Sequence, residues 1–233
     1  MTVAPLAKPK AETDSFLVAD RLRRDILTGV FEPGRWLRLI ELRERYDVGA
    51  SPLREALSKL AAEKLLIQEA NRGFRVPALD RSELRDIFNL RRKLEPEATL
   101  HSVRLGDEEW EDQLVLAHRR LERLGAPEEI LAAPQFDERA QNWEQAHRSF
   151  HWALIAACDS PWTQRFCLTL GDQFDRYRRF ARPSKTVQKR LAEQHRQILD
   201  LALARRAEAC AELVEQHVVL TAEAVLTAID EIP

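Results

Sequence analysis

Cysteine is scarce in this sequence, and its placement excludes the common cysteine-based sites. The three cysteines, Cys158, Cys167 and Cys210, are an odd number and form no C-x-x-C pair. We therefore expect reduced side chains in a core, and neither a zinc finger nor a redox motif.

No apolar run approaches the roughly 18 residues that a membrane span needs, and residues 1–14 hold no stretch that resembles a signal peptide. These absences predict a cytoplasmic protein.

Glycine is also scarce, and its distribution divides the chain. Four of the seven glycines lie within the first 73 residues. The long glycine-poor remainder is rich in Leu, Ala, Glu and Arg, which predicts consecutive helices and a mainly α fold. The sequence has no glycine-rich phosphate loop, no G-x-S-x-G nucleophile elbow and no H-E-x-x-H motif, so we do not expect an enzyme.

The first 78 residues predict a small domain of helices and short strands. The spacing of Val18, Leu22 and Ile26 indicates a helix over 14–28, and residues 1–12, which lack periodicity, are expected to form a flexible tail. The elements predicted next are a turn (31–34), an extended segment (35–39), a helix (40–46), a turn (47–50), a helix (51–64) and two strands (65–68 and 74–76). This order predicts a winged helix-turn-helix domain over residues 13–78.

The helix predicted at 51–64 begins as a DNA recognition helix should. Ser51 suits the N-cap, and Pro52 suits the first helical position because its missing N–H needs no partner there. Arg54 then lies in the first turn, where the helix dipole disfavours a cation. Contact with a phosphate or a guanine edge explains an arginine there, since recognition helices present their N-terminal residues to the major groove.

Four more residues of this domain are candidates for DNA contact. Arg72 and Gly73 lie at the predicted wing tip, and Arg43 and Arg45 lie on the preceding short helix, within reach of phosphates. Residues 1–78 hold 14 Lys/Arg against 11 Asp/Glu, and the remainder holds 22 against 27. A basic head on an acidic body is compatible with nucleic-acid binding by the head. The alternative for each arginine is an ordinary solvated charge.

Residues 79–233 predict an all-helical domain, a bundle of six to seven helices. Three prolines, Pro134, Pro161 and Pro183, mark joints between helices. The predicted helices span 80–105, 107–124, 137–158, 161–182, 185–204 and 206–229. We expect this domain to bind an effector and to dimerise.

Four of the six histidines are predicted to face the core of this bundle. His147 and His151 are four residues apart and share one helical face, while His195 and His217 lie on the apolar faces of two later helices. Neutral imidazoles that converge can bind a divalent metal, and the alternative is four satisfied core histidines. The two remaining histidines, expected at the surface, are His101 and His118.

The head resembles the GntR superfamily of bacterial regulators, and the resemblance rests on three motifs. They are Gly29…Phe31-Glu32-Pro33-Gly34, Ser51-Pro52-Leu53-Arg54-Glu55-Ala56-Leu57…Leu60 and Gly73-Phe74-Arg75-Val76. Relatives usually carry an arginine two residues before the proline, where this chain has Ala50. The resemblance therefore implies a DNA-binding transcriptional regulator that has lost one DNA contact and reads an altered operator.

The helical domain, from about residue 80 to 225, is similar to the FCD ligand domain of the FadR branch in its metal-containing form. That form has Asp-x-x-x-His on one helix and a histidine on each of two later helices. The resemblance implies a ligand set of His147, His151, His195 and His217, in which His147 replaces the family's Asp. Because four imidazoles carry no charge, a bound divalent ion, zinc or nickel, keeps its full positive charge.

The resemblance also implies an effector-binding arginine. Arg91 stands where the family places an inward guanidinium, which can pair bidentately with a carboxylate whose other end rests on the metal. Arg92 is the competing choice, and an exposed helix charge is the alternative for Arg91. Further candidates for the cavity wall are Arg176, Tyr177 and Arg178.

Together these features predict a repressor that binds double-stranded operator DNA and is controlled by a small carboxylate or dicarboxylate, with glutarate as the leading example. We expect a homodimer because one winged helix makes too few contacts and two-fold operators are read by paired heads. Two alternatives stay open. One is a metal-free acyl-CoA sensor of the same branch, and the other is a helical-bundle metalloenzyme that uses a metal-bound water.

Overall fold

The computed structural model of the chain describes residues 10–130, 138–180 and 184–229. The chain forms two compact units that divide between Leu79 and Asp80. The described residues are mainly helical, with one small antiparallel sheet in the first unit. This confirms the predicted fold class, a winged helix-turn-helix followed by an all-helical domain.

The first unit contains three helices and three short strands in its described part. In chain order these are α1 (Lys10–Leu27), β1 (Trp36–Leu37), α2 (Leu39–Tyr46), α3 (Ala50–Ala62), β2 (Ile67–Glu69) and β3 (Gly73–Arg75). Because α1 begins at Lys10, residues 10–12 of the predicted tail are helical, and residues 1–9 lie outside the described residues. The apolar periodicity used to place this helix starts only at Val18, so it gave no signal for the first turns.

The sheet has one strand more than the predicted hairpin. Its order is β1-β3-β2, with Trp36 and Ile67 each paired to Arg75. The segment before β1 extends this pairing, since the Val76 N–H donates to the Arg35 carbonyl at 2.9 Å. The predicted extended segment at 35–39 therefore contains the third strand of the sheet, β1, although Leu39 already belongs to α2.

The core of the first unit lies between α1 and α3. The apolar stripes of the two helices pack against each other. The buried residues of these stripes are Val18, Leu22, Ile26, Leu53, Leu57 and Leu60. Burial of each large aliphatic side chain contributes about 1.5–3 kcal/mol, so these stripes fix the position of α3.

The start of α3 differs from the prediction. Gly49 is the N-cap, in extended backbone, and its carbonyl accepts from the Leu53 N–H at 3.3 Å. Ser51 is an exposed residue of the first turn, so its predicted N-cap role is wrong. Pro52 is consequently the third helical residue, where an N–H still has no partner within the helix.

The second unit is a helical bundle in its described part. Its helices are α4 (Arg81–Leu105), α5 (Glu108–Arg123), α6 (Pro127–Ile130), α7 (Glu138–Ile155), α8 (Pro161–Phe180), α9 (Lys185–Leu203) and α10 (Ala207–Ile229). The four-residue α6 was not predicted, and the joints expected at Pro134 and Pro183 lie outside the described residues. Asp80, Asp107 and Ser184 cap α4, α5 and α9 with their side chains.

Helix α4 is central to this bundle because it packs against α7, α8 and α10. The apolar core contains residues of α5, α7, α9 and α10, among them Leu114, Phe150, Ile198 and Val214. None of the helices in the described ranges is both long and apolar enough to cross a membrane.

Candidate metal centre, effector cavity and DNA-binding surface

Four histidines meet inside the second unit. His147 and His151 lie one turn apart on α7, His195 lies on α9 and His217 on α10. One ring nitrogen of each lies within 4.8 Å of those of the other three. The Nε2 atom of His151 is 3.2 Å from the Nε2 atoms of both His147 and His195. The structure thus brings together the four histidines that the sequence singled out.

The surroundings keep these rings neutral and oriented. Burial lowers the pKa of all four histidines well below the usual value, and the neighbouring imidazoles and arginines lower it further. The Trp143 ring stacks on His147 with centroids 5.0 Å apart. His217 Nδ1 lies 3.1 Å from the Gln194 Oε1 acceptor, so Nδ1 carries the proton and Nε2 keeps its lone pair.

This donor set fits a divalent transition metal. Neutral imidazoles with the opposite ring nitrogen hydrogen-bonded are the usual histidine ligands of zinc, nickel and copper. Residues that hold a proton at neutral pH would repel the ion, and the lowered pKa values exclude that state here. Four close imidazoles can therefore hold one ion with no ligand charge.

The two other histidines differ from each other. His118 is only 5% exposed and packs edge-on against Phe150 at 5.3 Å, so its predicted surface position is wrong. It lies on the apolar face of α5 between buried residues such as Leu114 and Leu121, a periodicity present in the sequence. His101 is partly exposed at the surface, with Glu97 and Asp159 as partners.

A cavity of about 70 Å³ adjoins the histidine cluster. His147 and His151 form part of its wall, and residues of α4, α7 and α8 form most of the rest. Among the described residues of the wall, the charged ones are Arg91, Glu95, Arg148, Asp172 and Asp175. Among its apolar residues are Trp152, Leu154, Ile155, Leu168 and Val214.

Arg91 lies in the wall of this cavity, but its bidentate edge is already occupied. Its Nε and Nη2 atoms donate to Glu95 at 2.5 and 3.2 Å, and its guanidinium lies 4.3 Å from the Phe174 ring centroid. Nη1 is buried without a hydrogen-bond partner among the described residues. A bidentate contact through Nε and Nη2, as the sequence predicted for an effector, would require the pair with Glu95 to open. Arg92 points elsewhere, to Glu215, and is half exposed.

The sequence reasoning missed a second charged group in the wall. Arg148 donates through Nη1 to Asp172 and through Nη2 to Asp175, both at 3.0 Å. Arg178 bonds Asp175 and Glu144. Burial acts to raise the pKa of Asp175, but the positive charges of Arg178 and Arg148 hold that pKa below its usual value. The i, i+3 spacing of the two aspartates on α8 was the available signal.

Residues 176–178, which the sequence suggested as further cavity wall, do not line the cavity. Arg176 and Tyr177 are buried, at 2% and 0% exposure, and Arg178 is almost buried. None of the three is among the described residues that line the cavity. Arg178 instead supports the wall from behind through Asp175.

The predicted DNA-contacting residues are exposed on the first unit, and two of them, Arg72 and Arg45, have a carboxylate partner. Arg54, Arg43, Ser51 and Gly73 are exposed, and Gly73 has a φ of +99° that favours glycine at the tip of the wing. Arg72, with a side chain 73% exposed, is 3.6 Å from Glu69. Arg45 differs because its Nε donates to Asp25 at 3.0 Å.

A winged helix followed by an all-helical bundle defines a class of DNA-binding regulators. Comparison with protein families agrees: residues 17–76 match the gntR family of bacterial regulatory proteins, and residues 86–220 match the FCD domain. The chain belongs to the GntR family of DNA-binding transcriptional regulators, in its FCD-containing form. This confirms the resemblance to GntR regulators that carry an FCD domain and excludes the metalloenzyme alternative, because the family and its relatives are regulators.

Curated relatives cover most of the chain. It is 41% identical over 212 residues to the HTH-type transcriptional regulator BphR of Paraburkholderia xenovorans (strain LB400), covering 90% of this chain and 85% of that protein. It is 35% identical over 203 residues to the HTH-type transcriptional repressor GlaR of Escherichia coli (strain K12), covering 84% and 88%.

Solved structures show the same fold. A GntR transcriptional regulator from Rhodococcus sp. RHA1 superposes with a TM-score of 0.73 at 19% identity, over 95% of this chain and 100% of that one. McbR/YncC of E. coli superposes with a TM-score of 0.77 at 18% identity, over 94% and 98%. At these identities the likeness establishes the fold.

Proposed function

We propose that the chain is a transcriptional repressor that releases its operator when a small carboxylate binds beside a metal ion in the second unit. The observation that carries the proposal is the meeting of four buried imidazoles, two of which line a cavity whose wall also contains an incompletely bonded arginine. A repressor is favoured over an activator because the E. coli relative is named a transcriptional repressor.

His147, His151, His195 and His217 would hold the metal. When bound, a divalent ion in this neutral ligand set supplies an uncompensated positive charge that attracts a carboxylate oxygen. Zinc and nickel suit four nitrogen donors. Arg91 would orient the carboxylate from the opposite wall through Nη1, which is the atom left without a partner.

The cavity size favours a small effector over an acyl-CoA. A cavity of about 150 Å³ is filled by benzene, and this one is about 70 Å³. An acyl chain of even moderate length exceeds that space, and a metal-free sensor would have no use for four meeting imidazoles. Both observations disfavour the metal-free acyl-CoA alternative.

Arg54 on α3 would read the operator, with Arg43, Ser51, Arg72 and Gly73 contacting the backbone around it. Arg45 is paired with Asp25 and would contribute less unless the pair opens. Two such heads are required for a two-fold operator, so the active species would be a homodimer. The GntR family assignment supports both the operator and the dimer.

The deciding experiment measures operator affinity with effector and metal varied independently. An operator is first selected from random duplexes with the full-length protein, and fluorescence anisotropy then reports binding with zinc or nickel and a panel of carboxylic acids. At least one acid should weaken operator binding, by about 5–150-fold, only when the metal is present. A panel without effect, or an equal effect after metal removal, contradicts the proposal.

A further inference from the structure

Few guanidinium nitrogens of the described lining residues are left without a partner. Two nitrogens of Arg91 donate hydrogen bonds to Glu95, and both terminal nitrogens of Arg148 donate to aspartates. The buried nitrogens without partners among the described residues of this wall are Arg91 Nη1 and Arg148 Nε. Two such donors and one metal position suffice for one carboxylate group.

A second carboxylate on the effector would meet protein carboxylates. Among the described lining residues, Glu95, Asp172 and Asp175 outnumber the two arginines, so their charges sum to −1. The rest of the described lining is largely apolar, with Trp152 and Leu168 as examples. A buried charge that faces apolar groups or like charges lacks compensation and costs several kcal/mol, on the order given for buried ions.

A bound divalent metal ion would add two positive charges to this net charge. The imidazole ligands are neutral, and a divalent ion among them brings the sum of the ion and the charged lining to +1. One monoanion then neutralises the site, whereas a dianion leaves it negative. His147 contributes here, since an aspartate in its place would lower the sum by one unit.

We infer that the effector is a short monocarboxylate, with one carboxylate attached to an uncharged remainder of only a few carbon atoms. This inference rests on the proposed function. The carboxylate lies between the histidine cluster and Arg91, and the remainder lies along the apolar wall. The expected dicarboxylate effector, of which glutarate was the example, is accordingly disfavoured.

The test compares two acids with the same number of carbons on the full-length, zinc-loaded protein. Butyrate and succinate are titrated by calorimetry and by thermal shift, and the zinc content is checked after each titration so that both refer to loaded protein. Butyrate should bind at least about tenfold more tightly than succinate. Tighter binding of succinate overturns the inference and leaves the proposed function standing. No binding of either acid, nor of any carboxylate in the panel above, overturns both.

Variants of the wall test the cause of the preference. Glu95→Gln removes one negative charge and one of the two acceptors of Arg91, so the succinate-to-butyrate affinity ratio should rise at least about tenfold. Asp172→Asn should shift the ratio the same way and serves if Glu95→Gln does not fold. Asp86→Asn, an isosteric change at an exposed position of α4, is the matched control and should leave the ratio unchanged. Equal ratios in all three variants overturn the charge argument.

Discussion

The buried Tyr177 hydroxyl donates a hydrogen bond to Glu83 and accepts one from the backbone N–H of Asp80. Asp80 is the first residue of the second unit and caps α4, whereas Tyr177 lies on α8 shortly after the cavity residues Asp172 and Asp175. One side chain therefore ties the helix that forms the cavity wall to the point where the chain enters the helical bundle.

Replacing Tyr177 by Phe tests whether this tie transmits effector binding. The change removes the hydroxyl and retains the ring, so metal and effector affinity should be preserved, with a loss of about 1 kcal/mol in unfolding free energy. The effector should then release the operator less well, with its effect on operator affinity reduced about tenfold. Anisotropy titrations with and without effector measure this, and an unchanged effect would show that transmission does not use the hydroxyl.

Replacing Arg54 by Ala tests the recognition helix. Arg54 is exposed on α3 and has no ion pair among the described residues, so the fold should be unaffected. Loss of a contact to a guanine edge should cost about 1–3 kcal/mol of operator binding and relax specificity at one base pair. Anisotropy with operator variants measures both. Glu55→Ala, at the adjacent exposed position, is the control, and equal affinities of the two variants would contradict the assignment.

The proposed metal centre can be tested at a ligand and at the residue that supports a ligand. His151→Ala removes the imidazole that lies 3.2 Å from two others and should abolish stoichiometric metal binding. Gln194→Ala leaves all four ligands in place but removes the acceptor of His217, so metal affinity should fall about 10–100-fold. Elemental analysis and competition with a chromophoric chelator measure both effects. His101→Ala, at a surface histidine, should bind metal normally, and retention of metal by His151→Ala would refute the ligand set.

Acid should destabilise the metal-free protein. Burial lowers the pKa of His118 in the folded state, so the unfolded chain takes up the proton first. The contribution of His118 to the free energy of unfolding is therefore fully present above the unfolded-state pKa of about 6.5. It falls as the pH drops below that value and levels off below the folded-state pKa. His118→Phe should reduce this pH dependence by up to about 1.4 kcal/mol per pH unit. Urea unfolding at pH 7.5 and 5.5, followed by tryptophan fluorescence, measures the difference, and an identical difference in wild type and variant would contradict the prediction.

Gly106, between α4 and α5, has no room for a side chain. A Cβ atom there would overlap the Trp110 ring and lie 2.8 Å from the Ser102 carbonyl oxygen. Gly106→Ala should therefore destabilise the protein by about 1–3 kcal/mol through overpacking. Gly171→Ala is the matched comparison because nothing lies within 4 Å of its Cβ position in helix α8, and it should be neutral or stabilising. Thermal unfolding of the two variants measures the contrast, and equal melting temperatures would contradict it.

Features with a local cause were predictable. The helices follow from apolar periodicity, and the inward positions of His147, His151, His195 and His217 follow from the same pattern. His118 obeys that pattern too, and its surface assignment failed because its apolar neighbours on α5 were overlooked. The Arg91–Glu95 pair has i, i+4 spacing and was likewise visible in the sequence. The N-cap of α3 was misplaced because Ser51 and Gly49 are both acceptable caps, and local preference does not separate them.

The sequence by itself determined the order of a winged helix and a helical bundle, the faces on which the histidines lie and the family of the chain. Only the tertiary structure decided that three helices bring those histidines to one point and that Asp172 and Asp175, rather than an effector, occupy the terminal nitrogens of Arg148. It also decided that Nε of Arg148 is buried without a partner among the described residues. The physical reason is that these contacts join residues 24 to 70 positions apart, and their distances depend on how whole helices pack and not on any local preference.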